Sequence, residues 1–195
     1  MDLSPTLSRF VLHWGEMGTR WGVNRTVSQI HALLYITGRP MHAEEIADTL
    51  KVARSNVSNS IRELQSWSLV KLVHVTGDRR DHFETSRQVW ELFRTIVRER
   101  QRREITPTIE VLRELLADPA IAKDPAEAKR RMQETLELLD TLTLWSDEML
   151  RLDTQTLTKV LKLGAKIKKL LGGGASAKQG AGPTDARTTN HMPRP

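Results

Sequence analysis

The stretch Ala43-Glu44-Glu45-Ile46-Ala47-Asp48-Thr49-Leu50, a tight break at Lys51-Val52, and Ala53-Arg54-Ser55-Asn56-Val57-Ser58-Asn59-Ser60-Ile61-Arg62-Glu63-Leu64-Gln65-Ser66-Trp67 decide how the chain folds. In the first segment Ile46, Ala47 and Leu50 share one helical face, and in the second Val57, Ile61 and Leu64 do, so the spacing predicts two short helices joined by a turn. The start of the second helix otherwise exposes Arg54, Ser55, Asn56, Ser58, Asn59 and Ser60. Ser and Asn are mediocre helix formers because their side chains compete for the backbone. Such a density of them reads either as a capping cluster or as a surface built to hydrogen-bond something outside the protein.

Downstream, residues 69–75 alternate as a strand, Thr76-Gly77-Asp78-Arg79-Arg80-Asp81 forms a turn, and His82-Phe83-Glu84-Thr85 gives a second short strand. The pair is a ribbon with a basic tip at Arg79-Arg80. Upstream, residues 4–21 read as an amphipathic helix, with Ser4 as cap, Pro5 at the first helical position and Leu7, Phe10, Val11, Trp14, Met17 and Trp21 spaced by three and four. Gly22 stops it. A second helix runs from about Thr26 to Ile36 and closes at Gly38-Arg39-Pro40. From Ser86 the pattern is helical again to Leu116, with Pro107 kinking or splitting it, and residues 118–125 form a loop. Leu138, Leu142, Trp145, Met149 and Leu152 then step by fours and threes, the seam of helix-on-helix packing, within helical character that persists to Leu171. Four regions result: an N-terminal helix (1–22), a helix-turn-helix and ribbon domain (23–86), long helices (87–171) and a Gly-rich, disordered tail (172–195).

Composition narrows the function. The chain has 195 residues and a formal charge of +6, with no cysteine, which excludes disulfides, thiolate metal sites and thiol nucleophiles. The longest apolar run, Ala32 to Ile36, is far too short to span a membrane, and no secretory signal is visible, so a cytoplasmic protein is expected. The basicity is local rather than general. It concentrates at Arg79-Arg80, at Arg98 to Arg103 and near the last helix, where Lys159, Lys162, Lys166, Lys168 and Lys169 suit a helix C-terminus. The six histidines have no metal-ligand spacing and no Gly-rich phosphate loop follows a strand, so no enzyme, metal or cofactor is expected.

Helix, turn, helix and basic-tipped ribbon in this order form the layout of a winged helix-turn-helix, a mainly α fold with a small β-wing. In such domains the first turns of the second helix approach base edges in the major groove, where Arg54, Ser55, Asn56, Ser58 and Asn59 fall. Arg62 sits further along, at the height of a phosphate, and Arg79 and Arg80 can reach a phosphate or the minor groove. Double-stranded DNA is the expected partner. A winged helix serving protein contacts, or a non-specific DNA organiser, is the alternative.

The run from Arg39 to Ser58, then Ile61 to Val70 and Thr76 to Glu84, resembles the MarR superfamily, and with Trp21 to Leu34 it is similar to the GbsR-like branch. Ala53 stands where the family often has a Ser or Thr cap, and His31 and Ser68 stand where Gly is usual. The resemblance implies a homodimer, with N- and C-terminal helices interlocked, acting as a transcriptional repressor on a pseudo-palindromic operator. Some GbsR-like regulators respond to choline or betaine, and a quaternary ammonium suits an aromatic cage. Trp14, Trp21, Trp90 and Trp145 are the candidate cage, with core packing as the competing role for each.

Overall fold

The computed structural model describes residues 2–172, with side chains described to residue 164. Its elements are α1 (Pro5–Arg20), α2 (Arg25–Thr37), β1 (Met41–His42), α3 (Ala43–Leu50), α4 (Arg54–Ser66), β2 (Lys71–Val73), β3 (His82–Glu84), α5 (Val89–Arg100), α6 (Thr106–Ala117), α7 (Ala126–Arg151) and α8 (Thr154–Gly172). The chain divides into two units, the first ending at Leu150 and the second beginning at Arg151.

Local chemistry sets the helix ends. The Ser4 hydroxyl accepts from the Leu7 amide at 3.3 Å, and Asn24 Oδ1 accepts from Thr26 N at 2.8 Å, each satisfying an orphan donor of a first turn. Gly38 ends α2 with a left-handed φ of 59°. Lys51 and Ser68 adopt the same region at φ 55° without being glycine, and Ser68 does so where the resemblance expects Gly. Ala53 provides no side-chain cap to α4. That leaves the first amides of this helix without an internal side-chain partner.

The core of the first unit lies around α2, with Ile30, Leu33 and Leu34 essentially inaccessible and joined by Met41, Ile46, Val57, Ile61, Leu64 and Phe83. Each large aliphatic side chain so buried is worth about 1.5–3 kcal/mol. The approach of α1 to α2 depends on two glycines. A Cβ on Gly15 would stand 2.6 Å from Gln29 Cγ, and one on Gly18 2.6 Å from Ser28 Cβ.

The sheet is antiparallel in the order β1-β3-β2, pairing Met41 with Phe83 and Leu72 with Phe83. β1 is absent from the sequence reading because two residues carry no periodicity. The strand read over 69–75 pairs only over Lys71–Val73, and Ser60, expected on the exposed face of α4, is buried beside Val57 and Ile61. Between α5 and α6 a π turn over Gln101–Ile105 stands immediately before Pro107, so the chain passes the proline without a break. The helical stretch read as continuous to Leu171 breaks at Asp153, whose carboxylate accepts from Gln155 N at 2.9 Å and Thr156 N at 3.1 Å to start α8. The expected tail, beyond Gly172, lies outside the described residues.

A buried polar joint ties α2 to the base of the ribbon. The Thr85 hydroxyl donates to the Leu69 carbonyl at 2.7 Å, so its oxygen is left to accept from His31 Nε2 at 3.2 Å. The ring is densely surrounded by protein while keeping an edge on an open cavity, and desolvation lowers its pKa to about 4. His31 therefore folds neutral, as the Nε2–H tautomer. Because the unfolded chain binds this proton near pH 6.5, the contribution is complete above pH 6.5 and disappears as pH falls toward 4. It amounts to about 3 kcal/mol at most. In urea unfolding followed from pH 7 to pH 4, the wild type is expected to lose more stability than His31→Gln, which keeps a donor for Thr85 without titrating; parallel profiles would refute the assignment.

Candidate nucleic-acid interface and adjoining cavity

α4 carries its buried stripe at Val57, Ser60, Ile61 and Leu64, which turns Arg54, Ser55, Asn56, Ser58, Asn59 and Arg62 outward. This division comes from the helical period: the inward positions recur by three and four, and everything between them faces solvent. The Arg62 guanidinium donates to Asn59 Oδ1, so these two side chains form one polar unit further along the helix.

The ribbon tip turns through Gly77 at φ 86°, with the Asp78 amide donating to the Val75 carbonyl at 3.0 Å. Asp78 then fixes the backbone and side chain of Arg80. Its Oδ1 accepts from the Arg80 amide at 3.0 Å and from Arg80 Nε at 2.9 Å, while Oδ2 accepts from Arg80 Nε at 3.0 Å. These hydrogen bonds hold the Asp78 carboxyl far below the usual carboxylate range and raise Arg80. Beneath the turn, buried His82 places Nδ1 2.9 Å from the Arg80 carbonyl and meets His42 edge-on at 5.5 Å between ring centres. The carbonyl has only lone pairs to offer, so Nδ1 carries the proton and donates. Arg79 is exposed and forms no ion pair with a carboxylate among the described residues.

Tip and helix meet at Glu44, in the first turn of α3. Its Oε1 lies 3.3 Å from Arg54 Nη1 and its Oε2 4.0 Å from Arg80 Nη1. The structure therefore brings Arg54 and Arg80, distant in sequence, to one carboxylate. Sequence reasoning misses Glu44 as a site residue, although its place at the start of α3, where a carboxylate favours the helix dipole, is visible there.

A cavity of about 720 Å³ opens beside His31 among α1, α2, α4 and α5, walled by Trp14, Trp21, Trp67 and Ile96 with Glu63 and Arg100 among the charged residues lining it. The aromatic set differs from the one expected. Trp90 packs edge-on against Phe93 at 6.0 Å, and Trp145 is exposed on α7, and neither lines the cavity; Trp67, at the C-cap of α4, lines it instead. The Arg103 guanidinium lies 4.8 Å from the centre of the Trp67 ring, and Arg100 Nη2 donates to the Trp21 carbonyl at 3.5 Å. Arg102 and Arg103 pair with Glu99, at 2.6 and 3.0 Å. Arg100, Arg102 and Arg103 thus each have a partner within the protein, while Arg98 is exposed. Among the described residues no group of three or more His, Cys, Asp or Glu could hold a metal ion, and no helix is long and apolar enough to cross a membrane.

Residues 21–81, which contain this helix-turn-helix, β2 and the ribbon tip but end before β3, match the MarR family. A crystal structure of a transcriptional regulator is similar in fold, with a TM-score of 0.64 at 22% identity over 75% of this chain and 96% of that one. The zinc-responsive MarR family member ZitR of Lactococcus lactis aligns at a TM-score of 0.32 and 18% identity, covering 62% of this chain and 76% of its own. MepR, a transcription regulator of the Staphylococcus aureus multidrug efflux pump MepA, aligns at 0.34 and 16%, covering 70% and 93%. No curated protein matches the chain. The fold is a MarR-type winged helix, mostly helical with a small three-stranded antiparallel sheet, and its residues 21–81 match the MarR family.

Proposed function

We propose that the protein is a homodimeric, sequence-specific DNA-binding repressor of the GbsR-like kind, reading a pseudo-palindromic operator and released from it by a small-molecule effector. The observation that carries this reading is the meeting of Arg54, at the start of α4, with Arg80 of the ribbon on one exposed face, joined through Glu44. With its amide and hydroxyl side chains turned outward, the first half of α4 has the donors and acceptors that base edges require, and Arg79 has the free charge that a phosphate requires.

Dimerisation is supported by apolar surface. Leu138, Leu142 and Trp145, spaced by four and three along one face of α7, are each more than half exposed. Apolar surface in such continuity marks an association site. A two-fold pairing through helices would set two α4 helices about one DNA turn apart.

The cavity supports the effector. Betaine would place its ammonium against Trp14 and Trp21 near Glu63 and its carboxylate toward Arg100; choline would use the first set alone. An occupant there touches α1, the end of α4 and α5 together, and so can alter how the reading helix is held.

Three outcomes test the proposal. In fluorescence anisotropy on DNA from its own upstream region, Arg79→Ala is expected to weaken binding to all duplexes and flatten the salt slope by about 0.9, whereas Asn56→Ala costs about 1–3 kcal/mol on the operator only. Equal losses for Asn56→Ala on operator and scrambled duplex would favour the non-specific organiser. Leu142→Glu is expected to yield a monomer in sedimentation equilibrium and to abolish operator binding; an unchanged mass would remove α7 from the interface. Betaine or choline is expected to quench tryptophan fluorescence and release DNA in the wild type, and to do neither in Trp14→Ala; no response in the wild type removes both ligands.

A further inference from the structure

On a surface that must meet polyphosphate, a carboxylate is out of place unless it does something there. Glu44 is about half exposed, at 49% of its side-chain surface, and faces Arg54 at 3.3 Å and Arg80 at 4.0 Å, themselves 67% and 54% exposed. Structural need does not account for it. Glu45, one residue on, already supplies α3 with a first-turn carboxylate and is bound to Arg39, and His42 Nδ1 caps the helix by accepting from the Glu45 amide at 3.2 Å. Nor does Arg80 need Glu44 for its position, since Asp78 grips its Nε on the other side.

We infer that Glu44 is a built-in phosphate mimic: it occupies the two arginines in the free protein and lowers the affinity for DNA of any sequence. The inference rests on the DNA-reading face proposed above. A phosphate approaching Arg54 or Arg80 must displace the Glu44 carboxylate and tolerate its charge, so one cation's worth of the attraction is cancelled. Binding driven by phosphates alone carries this loss in full. Base contacts then have to supply what the backbone does not, which keeps the protein from lodging on random DNA. Glu44 therefore sets the floor of sequence-independent affinity by competing with phosphate for the two arginines.

The test uses the full chain and a duplex of random sequence in anisotropy titrations across a salt series. Glu44→Gln keeps an acceptor for Arg54 and removes the charge. It is expected to tighten random-duplex binding about fivefold at physiological salt and to steepen the slope of log K against log salt by about 0.9. Glu110→Gln, an equal change of charge at an exposed position of α6, is expected to leave both nearly unchanged. In an Arg54→Ala/Arg80→Ala background the gain from Glu44→Gln should vanish, which a general change in net charge would not produce. The inference is overturned if Glu44→Gln behaves like Glu110→Gln, or if its gain survives in the double-alanine background. Binding that is indifferent to Arg54→Ala/Arg80→Ala would overturn the DNA-reading face itself, an outcome separable from failure at Glu44 alone. Unchanged circular dichroism and melting temperature accompany the expected result, because Glu44 is exposed and the His42 cap is untouched.

Discussion

The burial of α2 is the constraint on which the rest of the first unit depends. One helix places Val27, Ile30, Ala32, Leu33 and Leu34 out of solvent, together with Ser28 and Gln29 on the side turned to α1. A helix can be apolar on so much of its circumference only if neighbours cover it from several directions. Here α1 covers one side, α4 another, and α3 and β3 close the end. The polar pair Ser28 and Gln29 tolerates burial because Gly18 and Gly15 let the α1 backbone come against them without a side chain between. The orientation of α4, and with it the outward polar face from Arg54 to Arg62, is inherited from this packing.

A second layer is polar. His31 leaves the apolar faces of α2 and reaches Thr85, which in turn holds the carbonyl of Leu69. Both ends of the ribbon are thereby fixed to the helix at the centre of the core. The ring also forms part of the cavity wall, so a single buried side chain touches the ribbon on one side and the cavity on the other. A neutral imidazole suits this place because it can donate to Thr85 from Nε2, whereas a charged one would have to be desolvated.

Electrostatics on the outer face obey the same economy of partners. Asp78 and Glu44 hold Arg80 and Arg54, while Arg79 extends free. Along α5 and its π turn, Arg100, Arg102 and Arg103 are engaged by Glu99, Glu104, backbone carbonyls and the face of Trp67. A run of arginines that sequence alone presents as one basic surface is, in the folded chain, partly neutralised by these partners while staying at the surface.

The class of the fold is legible in the order of residues, because the spacing of Ile46, Ala47 and Leu50, then Val57, Ile61 and Leu64, and the turn at Gly77 are local signals that the backbone reads within a few residues. So is the side of α4 that faces outward, from Arg54 through Arg62, since a helical period assigns faces without knowledge of the partner; Ser60 is the exception, a small residue whose polarity hides its inward position. The features that sequence leaves open are long-range. β1 exists only because Met41 finds Phe83, and the break at Asp153 looks like one more polar residue in an amphipathic helix. The tryptophans can be counted but not grouped: Trp14, Trp21 and Trp67 line one cavity together with Ile96 and Arg100 of α5, while Trp90 and Trp145 go elsewhere. Folding alone sets Glu44 between Arg54 and Arg80, because ion pairing depends on distances of a few ångströms that the order of residues along the chain does not encode.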